Sequence, residues 1–261
     1  MPNVEHHKPG TFCWFELATS DHEAAKQFYT SLFGWTFNDF PMGPSMVYSI
    51  FQLQGRDVAA TYTLNAEQKA HGVPPHWLLY VTTENADAAA SKAAENGATV
   101  MVPPFDVMEQ GRMAVLMDPA GAAFAVWQPK NHPGTGMAGV NGTVCWADLN
   151  TPDIDKAKTF YQNLFGWHID KSEGDPTGYT HIKNGEEFIG GIPPAEYRNP
   201  NAPPHWMIYF LMADCAASSQ KAQQLGAQTL MGPQEIPNVG RMAILQDPQS
   251  AVFALFEPKS R

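Results

Sequence analysis

The chain carries one sequence pattern twice, and this duplication limits the possible folds more than any other feature. Residues 10–35, GTFCWFELATSDHEAAKQFYTSLFGW, align with residues 142–167, GTVCWADLNTPDIDKAKTFYQNLFGW, and 15 of the 26 positions are identical. Later in each copy, GRMAVLMDP at 111–119 returns as GRMAILQDP at 240–248. Self-similarity over such a long period indicates that each copy is a structural unit and that both units share a fold.

A segment rich in proline and glycine separates the two copies. This segment, PKNHPGTGMAGVNG at 129–142, has the composition of a linker. We therefore predict two domains, residues 1–134 and residues 135–261. Each has the length of a small domain, and a hydrophobic content of 44% is enough to build a buried core.

Within a copy, the pattern predicts a strand, a helix and about three further strands. FCWFEL at 12–17 is typical of a strand, and the following Thr-Ser-Asp supplies N-cap chemistry for a helix that ends at Gly34. The second half of the copy repeats this order with the strand HWLLYV and the helix NADAAASKAAEN. The remaining strand-like stretches are VYSIFQL, DVAATYTL, GATVMVP, RMAVLM and AAFAVWQ. The repeating unit is therefore βαβββ, and the chain holds four.

Charge and composition exclude several classes of protein. The formal net charge of -10 argues against nucleic-acid binding, because such surfaces neutralise phosphates with Lys and Arg. The first residues, MPNVEHHKPG, lack the apolar core of a signal peptide, and no stretch approaches the ~20 apolar residues that cross a bilayer. Three cysteines, Cys13, Cys145 and Cys215, are too few for a disulfide scaffold. We predict a cytoplasmic protein without membrane contact.

The four βαβββ units, their FY…LFGW openings and their GRM…DP closing hairpins resemble the vicinal oxygen chelate superfamily. This superfamily includes glyoxalase I, bleomycin-resistance proteins and extradiol dioxygenases. The likeness covers nearly all of 10–258 and is closest to tandem two-copy glyoxalase-like proteins. It implies an α+β fold, in which the units form two tandem pairs and each pair curls into an open glyoxalase-like β-barrel with flanking helices. It also implies a cavity in each barrel, where many members hold one divalent metal.

The resemblance implies metal ligands on the first strand of each unit, usually His or Gln, and on the last strand, usually Glu. In this chain the positions fall on Trp14, Ala59 or Ala60, His76 and Ala125, and on Trp146, Gly190 or Gly191, His205 and Ala254. Only His76 and His205 are candidate ligands. A catalytic divalent ion usually needs three or more protein ligands. The matching positions therefore do not support a divalent metal, and no other cofactor is indicated.

Two carboxylates lie close to these positions. Glu16 and Asp148 each follow, by two residues, the tryptophan at a first-strand position, so strand alternation places each on the same face as that tryptophan. If this face lines the cavity, Glu16 with His76 and Asp148 with His205 are candidate catalytic acid–base pairs. The alternative is that the carboxylates bond backbone where strand meets helix, while the histidines cap a strand start.

Arginines and tryptophans are the candidate ligand-binding residues. Arg112 and Arg241 each head a strand, where a guanidinium can hold a ligand carboxylate or phosphate. The alternative is a salt bridge from the hairpin to a neighbouring helix. Four tryptophans can line an apolar pocket for a flat ligand, or form ordinary barrel core: Trp14, Trp77, Trp146 and Trp206.

The sequence thus predicts a glyoxalase-like protein with degenerate metal sites that binds a small apolar or aromatic molecule in its barrel cavities. Whether it also processes that molecule as an enzyme stays open. One alternative is a lyase, isomerase or dioxygenase of the same superfamily that binds a divalent metal through unconventional ligands. Another is a regulatory or protein-interaction role without catalysis. Doubling the copies within one chain is compatible with a monomer or a homodimer.

Overall fold

The computed structural model describes residues 3–43, 46–171 and 178–259. The first copy contains β1 (Phe12–Thr19), α1 (His22–Phe33), β2 (Thr36–Gly43), β3 (Met46–Leu53), β4 (Arg56–Thr63), α2 (Ala66–Ala70), β5 (His76–Thr82), α3 (Ala86–Glu95), β6 (Thr99–Val107), β7 (Gly111–Met117) and β8 (Ala123–Pro129). The second contains β9 (Val144–Asn150), α4 (Ile154–Phe165), β10 (His168–Lys171), β11 (Thr180–Asn184), β12 (Glu187–Ile192), a 3-10 turn (Ala195–Tyr197), β13 (His205–Leu211), α5 (Cys215–Gln224), β14 (Gln228–Ile236), β15 (Gly240–Gln246) and β16 (Val252–Pro258).

Each copy forms one eight-stranded open sheet from two consecutive βαβββ units. The strand orders are β2-β3-β4-β1-β5-β8-β7-β6 and β10-β11-β12-β9-β13-β16-β15-β14. The units of a copy meet at an antiparallel pair, β1 with β5 or β9 with β13, while the first and last strands of a unit pair in parallel. The predicted α+β fold of four βαβββ units in two tandem pairs is confirmed. The two sheets lie on either side of the predicted boundary at 134/135.

The helices begin and end where local sequence chemistry directs. The Asp21 side chain accepts a hydrogen bond from the Ala24 amide at the start of α1, and Asp153 caps α4 in the same way. Both helices end at a glycine in the left-handed region, Gly34 with φ 72° and Gly166 with φ 74°, a conformation that favours glycine. No helix among the described residues is long and apolar enough to cross a bilayer.

One apolar core is shared by the two copies. Helix α1 of the first copy contacts α5 of the second, and α3 contacts α4. At the centre, the rings of Phe33 and Phe210 lie 4.6 Å apart, and those of Trp77 and Phe210 lie 5.4 Å apart. Buried aromatic side chains of this size provide much of a domain's apolar stabilisation. We call this cluster the shared core.

The opposite face of each sheet, away from the helices, carries a smaller apolar cluster. In an open barrel this face lines the interior. We call the two faces the first and second inner faces. Buried residues of the first include Trp14, Ala60, Leu78, Tyr80, Ala125 and Trp127. The second includes Trp146, Met207, Tyr209, Met242, Ala254 and Phe256.

Candidate functional site

Strand alternation decides which side chains reach an inner face. On β1, Trp14 projects to the first inner face, whereas Phe15 and Leu17 belong to the shared core. On β5, Tyr80 lies on the inner face directly opposite Trp14 in the strand register. Glu16, two residues after Trp14, therefore lies on the same inner face as Trp14, as the alternation of the strand predicts.

Glu16 is held by two tyrosine hydroxyls. The Tyr48 hydroxyl donates to Glu16 Oε2 at 2.7 Å, and the Tyr80 hydroxyl donates to Glu16 Oε1 at 2.9 Å. The Trp14 Nε1–H donates to the Tyr48 oxygen at 3.1 Å. These four residues form what we call the first carboxyl cluster, in which the two tyrosine hydroxyls donate to the carboxyl group and the indole N–H donates to one of those hydroxyls.

A second carboxyl cluster stands at the equivalent place on the second inner face. The Tyr209 hydroxyl donates to Asp148 Oδ2 at 2.8 Å, and the Tyr179 hydroxyl donates to Asp148 Oδ1. The Trp146 Nε1–H lies 3.0 Å from Asp148 Oδ1 and 2.8 Å from the Tyr179 oxygen. The arrangement of one carboxyl, two tyrosines and one tryptophan is thus present in both copies.

Burial dominates the electrostatics of both clusters. Desolvation raises the pKa of Glu16 and of Asp148, while the tyrosine hydrogen bonds act in the opposite direction by stabilising the ionised form. His181 also lowers the pKa of Asp148 through its charge. Burial and the nearby carboxylate raise the pKa of Tyr48 and Tyr80 well above the ordinary value, so both stay protonated donors. A carboxyl of this kind can hold a proton or release it to a ligand.

The sequence Pro-Pro-His-Trp, which we call the PPHW motif, occurs at 74–77 and at 203–206, and its histidines lie at the rim of the inner faces. His76 and His205 each begin a strand, and each Nδ1 lies 2.8 Å from the carbonyl oxygen of the first proline of its motif. Burial lowers the pKa of His76. Among the described residues, His76 forms no hydrogen bond with Glu16, and His205 forms none with Asp148. Tyrosines contact the carboxyls where the sequence suggested histidines.

The family's metal positions surround the carboxyl clusters but do not supply ligands. Ala60 pairs with Glu16 across β1 and β4, and Ala125 pairs with Tyr80 across β5 and β8. A Cβ added at Gly191 would lie 2.1 Å from the Tyr179 hydroxyl, so this ring fills the space of a ligand side chain. Within residues 3–43, 46–171 and 178–259, no three His, Cys, Asp or Glu side chains group to hold a metal. These donor sets do not fit a catalytic divalent ion.

Two predicted ligand-binding tryptophans lie on the other side of their strands. Trp77 and Trp206 belong to the shared core, where their indole N–H groups donate to Tyr29 and Tyr161 at 3.0 Å. Each directly follows a PPHW histidine, and adjacent strand residues point to opposite faces. We therefore leave both tryptophans out of the site, whereas Trp14 and Trp146 remain in it.

Both predicted ligand-binding arginines also lie on the helix-bearing side of their sheets. Arg112 donates from Nε and a terminal nitrogen to the two carboxylate oxygens of Asp87, at 2.7 and 2.8 Å. Arg241 lies 3.7 Å from Glu257. Asp87 belongs to α3, so the first contact ties a hairpin to a neighbouring helix, which is the salt bridge that the sequence left open.

Sequence reasoning missed the four tyrosines that hold the carboxyls. Tyr80 and Tyr209 each lie four residues after a PPHW histidine, an even spacing that places them on the same strand face. This repeated spacing was a usable signal. Tyr48 and Tyr179 come from strands whose pairing the sequence does not specify, so their contact with the carboxyls required the folded sheet.

The linker covers part of the first inner face. The rings of His132 and Trp14 meet edge to face at 4.6 Å, and His132 Nε2 lies 3.3 Å from Asp57 Oδ2. The Trp127 indole N–H donates to the His132 carbonyl oxygen at 2.9 Å. On the second inner face Trp146 is partly exposed, whereas Trp14 is only 5% exposed. The two inner faces therefore share a carboxyl cluster but differ in their surroundings.

Two surface grooves lie apart from the inner faces. One, of about 740 Å³, runs between the end of α3 and the start of α4, and the other, of about 300 Å³, lies beside the start of α3. Neither is lined by a residue of a carboxyl cluster.

Several known proteins are similar to this chain in sequence or in architecture. The chain is 38% identical over 260 residues to CFP32 of Mycobacterium bovis, provisionally named a glyoxylase, covering 99% of this chain and 98% of that protein. It is 35% identical to the anthracycline biosynthesis protein DnrV of Streptomyces peucetius, covering 95% and 94%. In fold it is similar to the Mn(II)-bound glyoxalase of Novosphingobium aromaticivorans, with a TM-score of 0.66, 15% identity, and coverage of 98% and 83%.

The sequence profile of one superfamily matches both copies. The matched residues are 11–126 and 143–255, which together make up most of the chain. The four βαβββ units and the two open sheets agree with this match. The chain belongs to the glyoxalase/bleomycin resistance protein/dioxygenase superfamily.

Proposed function

We propose that this chain is a glyoxalase-like protein with degenerate metal positions, whose inner faces bind a small apolar or aromatic molecule. One observation carries the proposal. In both copies a carboxyl, two tyrosines and a tryptophan converge beside the last-strand positions, where the resemblance implies a metal ligand and this chain has alanine or glycine. The polar groups needed to orient a ligand are thus kept, while the donors needed to hold a metal are not.

The composition of the inner faces supports a flat ligand. The rings of Trp14, Tyr48 and Tyr80 surround the first carboxyl, and the small side chains of Ala60 and Ala125 lie on the neighbouring strands. Apolar walls with a few convergent polar groups are typical of small-molecule sites. Aromatic rings favour stacking or edge contacts with a planar molecule. DnrV is named for anthracycline biosynthesis, and this name is consistent with an aromatic ligand.

If the protein is also an enzyme, we propose that Glu16 and Asp148 carry its chemistry. A carboxyl whose pKa is raised by burial keeps its proton to a higher pH than an exposed one, and it can donate that proton to a bound molecule and take it back afterwards. The protonated tyrosines hold that carboxyl in place. In this scheme His76 and His205 act at the rim of the site, as groups that contact an entering ligand rather than as partners of the acid.

Metal content is the first test. Tag-free protein purified without chelator is measured by plasma mass spectrometry, together with His76→Ala and His205→Ala. We expect far less than one transition metal per copy in all three proteins, because the matching ligand positions of each copy offer one histidine. About one metal per copy, lost in the histidine variants, would overturn the degenerate-site proposal and favour a metal-dependent enzyme with unconventional ligands.

Ligand binding is the second test. Chelator-treated protein is titrated with 2-naphthol, and binding is followed by saturation-transfer NMR and by the shift in melting temperature, which grows with ligand concentration. Trp14→Ala and Trp146→Ala should weaken binding, whereas Trp77→Phe, which alters the shared core, should not. Circular dichroism verifies that each variant is folded. Binding that ignores both inner-face substitutions, or no binding at all, contradicts the proposal.

Two further predictions concern the state of the protein in the cell. We propose that it works in the cytoplasm on a small molecule, without nucleic acid, as a monomer or a homodimer. Light scattering after size-exclusion chromatography distinguishes the two assemblies. A stable higher oligomer, or co-purifying nucleic acid, would count against this part of the proposal.

A further inference from the structure

The hydrogen-bond donors of the first carboxyl cluster donate to acceptors within the cluster. Both tyrosine hydroxyls donate to Glu16, and the indole N–H donates to Tyr48. When Glu16 is ionised, what remains for a ligand is the lone pairs of Glu16 and of the Tyr80 oxygen. A ligand group that bonds here must therefore be a hydrogen-bond donor.

The protein supplies no positive charge to this cluster. Among the described residues, no Lys, Arg or His forms an ion pair with Glu16. The nearest candidates from the sequence are used elsewhere, because His132 pairs with Asp57 and His76 contacts a backbone carbonyl. A carboxylate in apolar surroundings without a counter-charge is unfavourable. A cationic ligand group would provide the positive charge that the protein does not place beside Glu16.

The surrounding rings favour the same kind of ligand. Trp14, Tyr48, Tyr80 and Trp127 are grouped on the first inner face around or beside Glu16. The faces of such rings attract cations through their quadrupoles, and tryptophan does so best. Trp14, Tyr80 and Trp127 are nearly buried, whereas Glu16 and Tyr48 are only partly buried, so a ligand can reach the cluster at Glu16 and Tyr48.

The second carboxyl cluster differs on each of these points. Asp148 accepts from Tyr179, Tyr209 and Trp146, one donor more than Glu16 has. His181 favours its ionised form, so part of the counter-charge already comes from the protein. Asp148 is only 5% exposed. A cation therefore gains less by binding there.

We infer that the first inner face selects an organic amine in its ammonium form, attached to a flat apolar body and held by Glu16. The inference rests on the proposed function, because it names the ligand class of a face already proposed to bind small aromatic molecules. It is specific to the first copy and to one carboxyl group.

A matched pair of probes tests the charge. Tryptamine and tryptophol share the same indole ring and two-carbon chain, and differ in carrying an ammonium or a hydroxyl group. Dissociation constants are measured at neutral pH by calorimetry and saturation-transfer NMR. We expect wild-type protein to bind tryptamine about tenfold more tightly than tryptophol, since one desolvated cation–π or ion-pair contact corresponds to roughly that factor. Indole-3-acetate, an anion of similar size, should bind more weakly than either.

Two isosteric variants locate the effect. Glu16→Gln keeps the size of the side chain and should bring the tryptamine-to-tryptophol ratio close to one, while tryptophol still binds. Asp148→Asn is the control on the second inner face and should leave the ratio unchanged. Melting curves establish that both variants fold.

The outcomes separate the inference from the proposed function. Equal affinity for tryptamine and tryptophol, or binding of 2-naphthol without tryptamine, overturns the amine inference and leaves the proposed function intact. A preference that survives Glu16→Gln, or that disappears in Asp148→Asn instead, also overturns it. If 2-naphthol, tryptamine and tryptophol all fail to bind, both proposals fall.

Discussion

The shared core repeats its contacts in both copies, whereas the inner faces have diverged. Three hydrogen bonds between the copies each occur twice, once in each direction. The tyrosine–aspartate bond joins Tyr29 to Asp247 and Tyr161 to Asp118. The other two join a tryptophan or a lysine to a backbone carbonyl: Trp35 to Gly142 and Trp167 to Gly10, Lys221 to Leu32 and Lys92 to Leu164. Both copies depend on this core for stability, so a change in one half is felt by the other.

On the inner faces, equivalent positions differ in size and charge. Glu16 is one methylene longer than Asp148, His132 covers part of the first face, and His181 influences Asp148 on the second. Side chains on these faces stabilise one sheet rather than the joint between sheets. The two copies have therefore kept the same contacts with each other in the shared core, whereas each inner face has been free to change.

The largest expected effect follows from cutting the chain at the linker. If 1–134 and 135–261 are expressed separately, each exposes its side of the shared core, so we expect neither to show the cooperative thermal transition of the whole chain. Circular dichroism and gel filtration measure this, and mixing the halves should restore the transition. Two independently folded halves would contradict the idea of one joint core and support fully separate domains.

A smaller effect is expected from the paired cross-copy hydrogen bonds. Tyr29→Phe and Tyr161→Phe each leave a buried aspartate oxygen and an indole N–H without a partner. Each substitution should lower the free energy of unfolding by about 1–3 kcal/mol, and the two losses should be similar. Urea denaturation measures both. A loss confined to one variant would mean that the contacts are duplicated in geometry but not in energy.

Most of the fold was predictable because the sequence pattern repeats and because apolar and polar residues alternate along the strands. The exceptions include the short helix α2, which lies where the sequence predicts a polar loop, and the strand β2. Its residues, TFNDFPMG, are all exposed, so the strand lacks the apolar alternation that marks a half-buried strand. It forms because it pairs along its length with β3 at the sheet edge, an interaction that its own sequence does not reveal.

The candidate site was predictable only in part. Alternation correctly linked Glu16 to the face of Trp14, but the PPHW motif was interpreted as if its histidine and its tryptophan served one cavity. Neighbours in a strand face opposite ways, so His76 and Trp77 cannot both do so. Contacts such as His132 with Trp14 depend on the path of a linker across the folded sheet, which no local pattern encodes.

The carboxyl clusters provide a pH-dependent comparison. Burial raises the pKa of Glu16 from its ordinary value of 4.5 and that of Asp148 from 3.8, so the folded state holds these protons more tightly than the unfolded state. Their contribution to stability is therefore greatest below the unfolded pKa and is lost as pH rises through the folded pKa. Glu16→Gln and Asp148→Asn should gain stability relative to wild type as pH rises from 4 to 8.

Chemical denaturation across this pH range measures the difference between each variant and wild type. The difference isolates the substituted group, because carboxylates with lowered pKa, such as Asp39 and Asp170, are common to all three proteins. A gap that stays constant with pH would show that the carboxyl titrates alike in the folded and unfolded chain.

The smallest effect is expected from the two arginines. Arg112 makes a two-point ion pair with Asp87, whereas Arg241 makes one longer contact with Glu257. Exposed ion pairs contribute little and are screened by salt, so Arg112→Ala should cost slight stability at low salt only, and Arg241→Ala none that can be measured. Because both guanidinium groups lie on the helix-bearing side, 2-naphthol and tryptamine should bind either variant as they bind wild type. Loss of binding in Arg112→Ala, measured by calorimetry on folded protein, would instead mean that Arg112 belongs to the binding site. The inner face would then depend on a residue of the helix-bearing side, and the contrast between the inner faces and the shared core would fail.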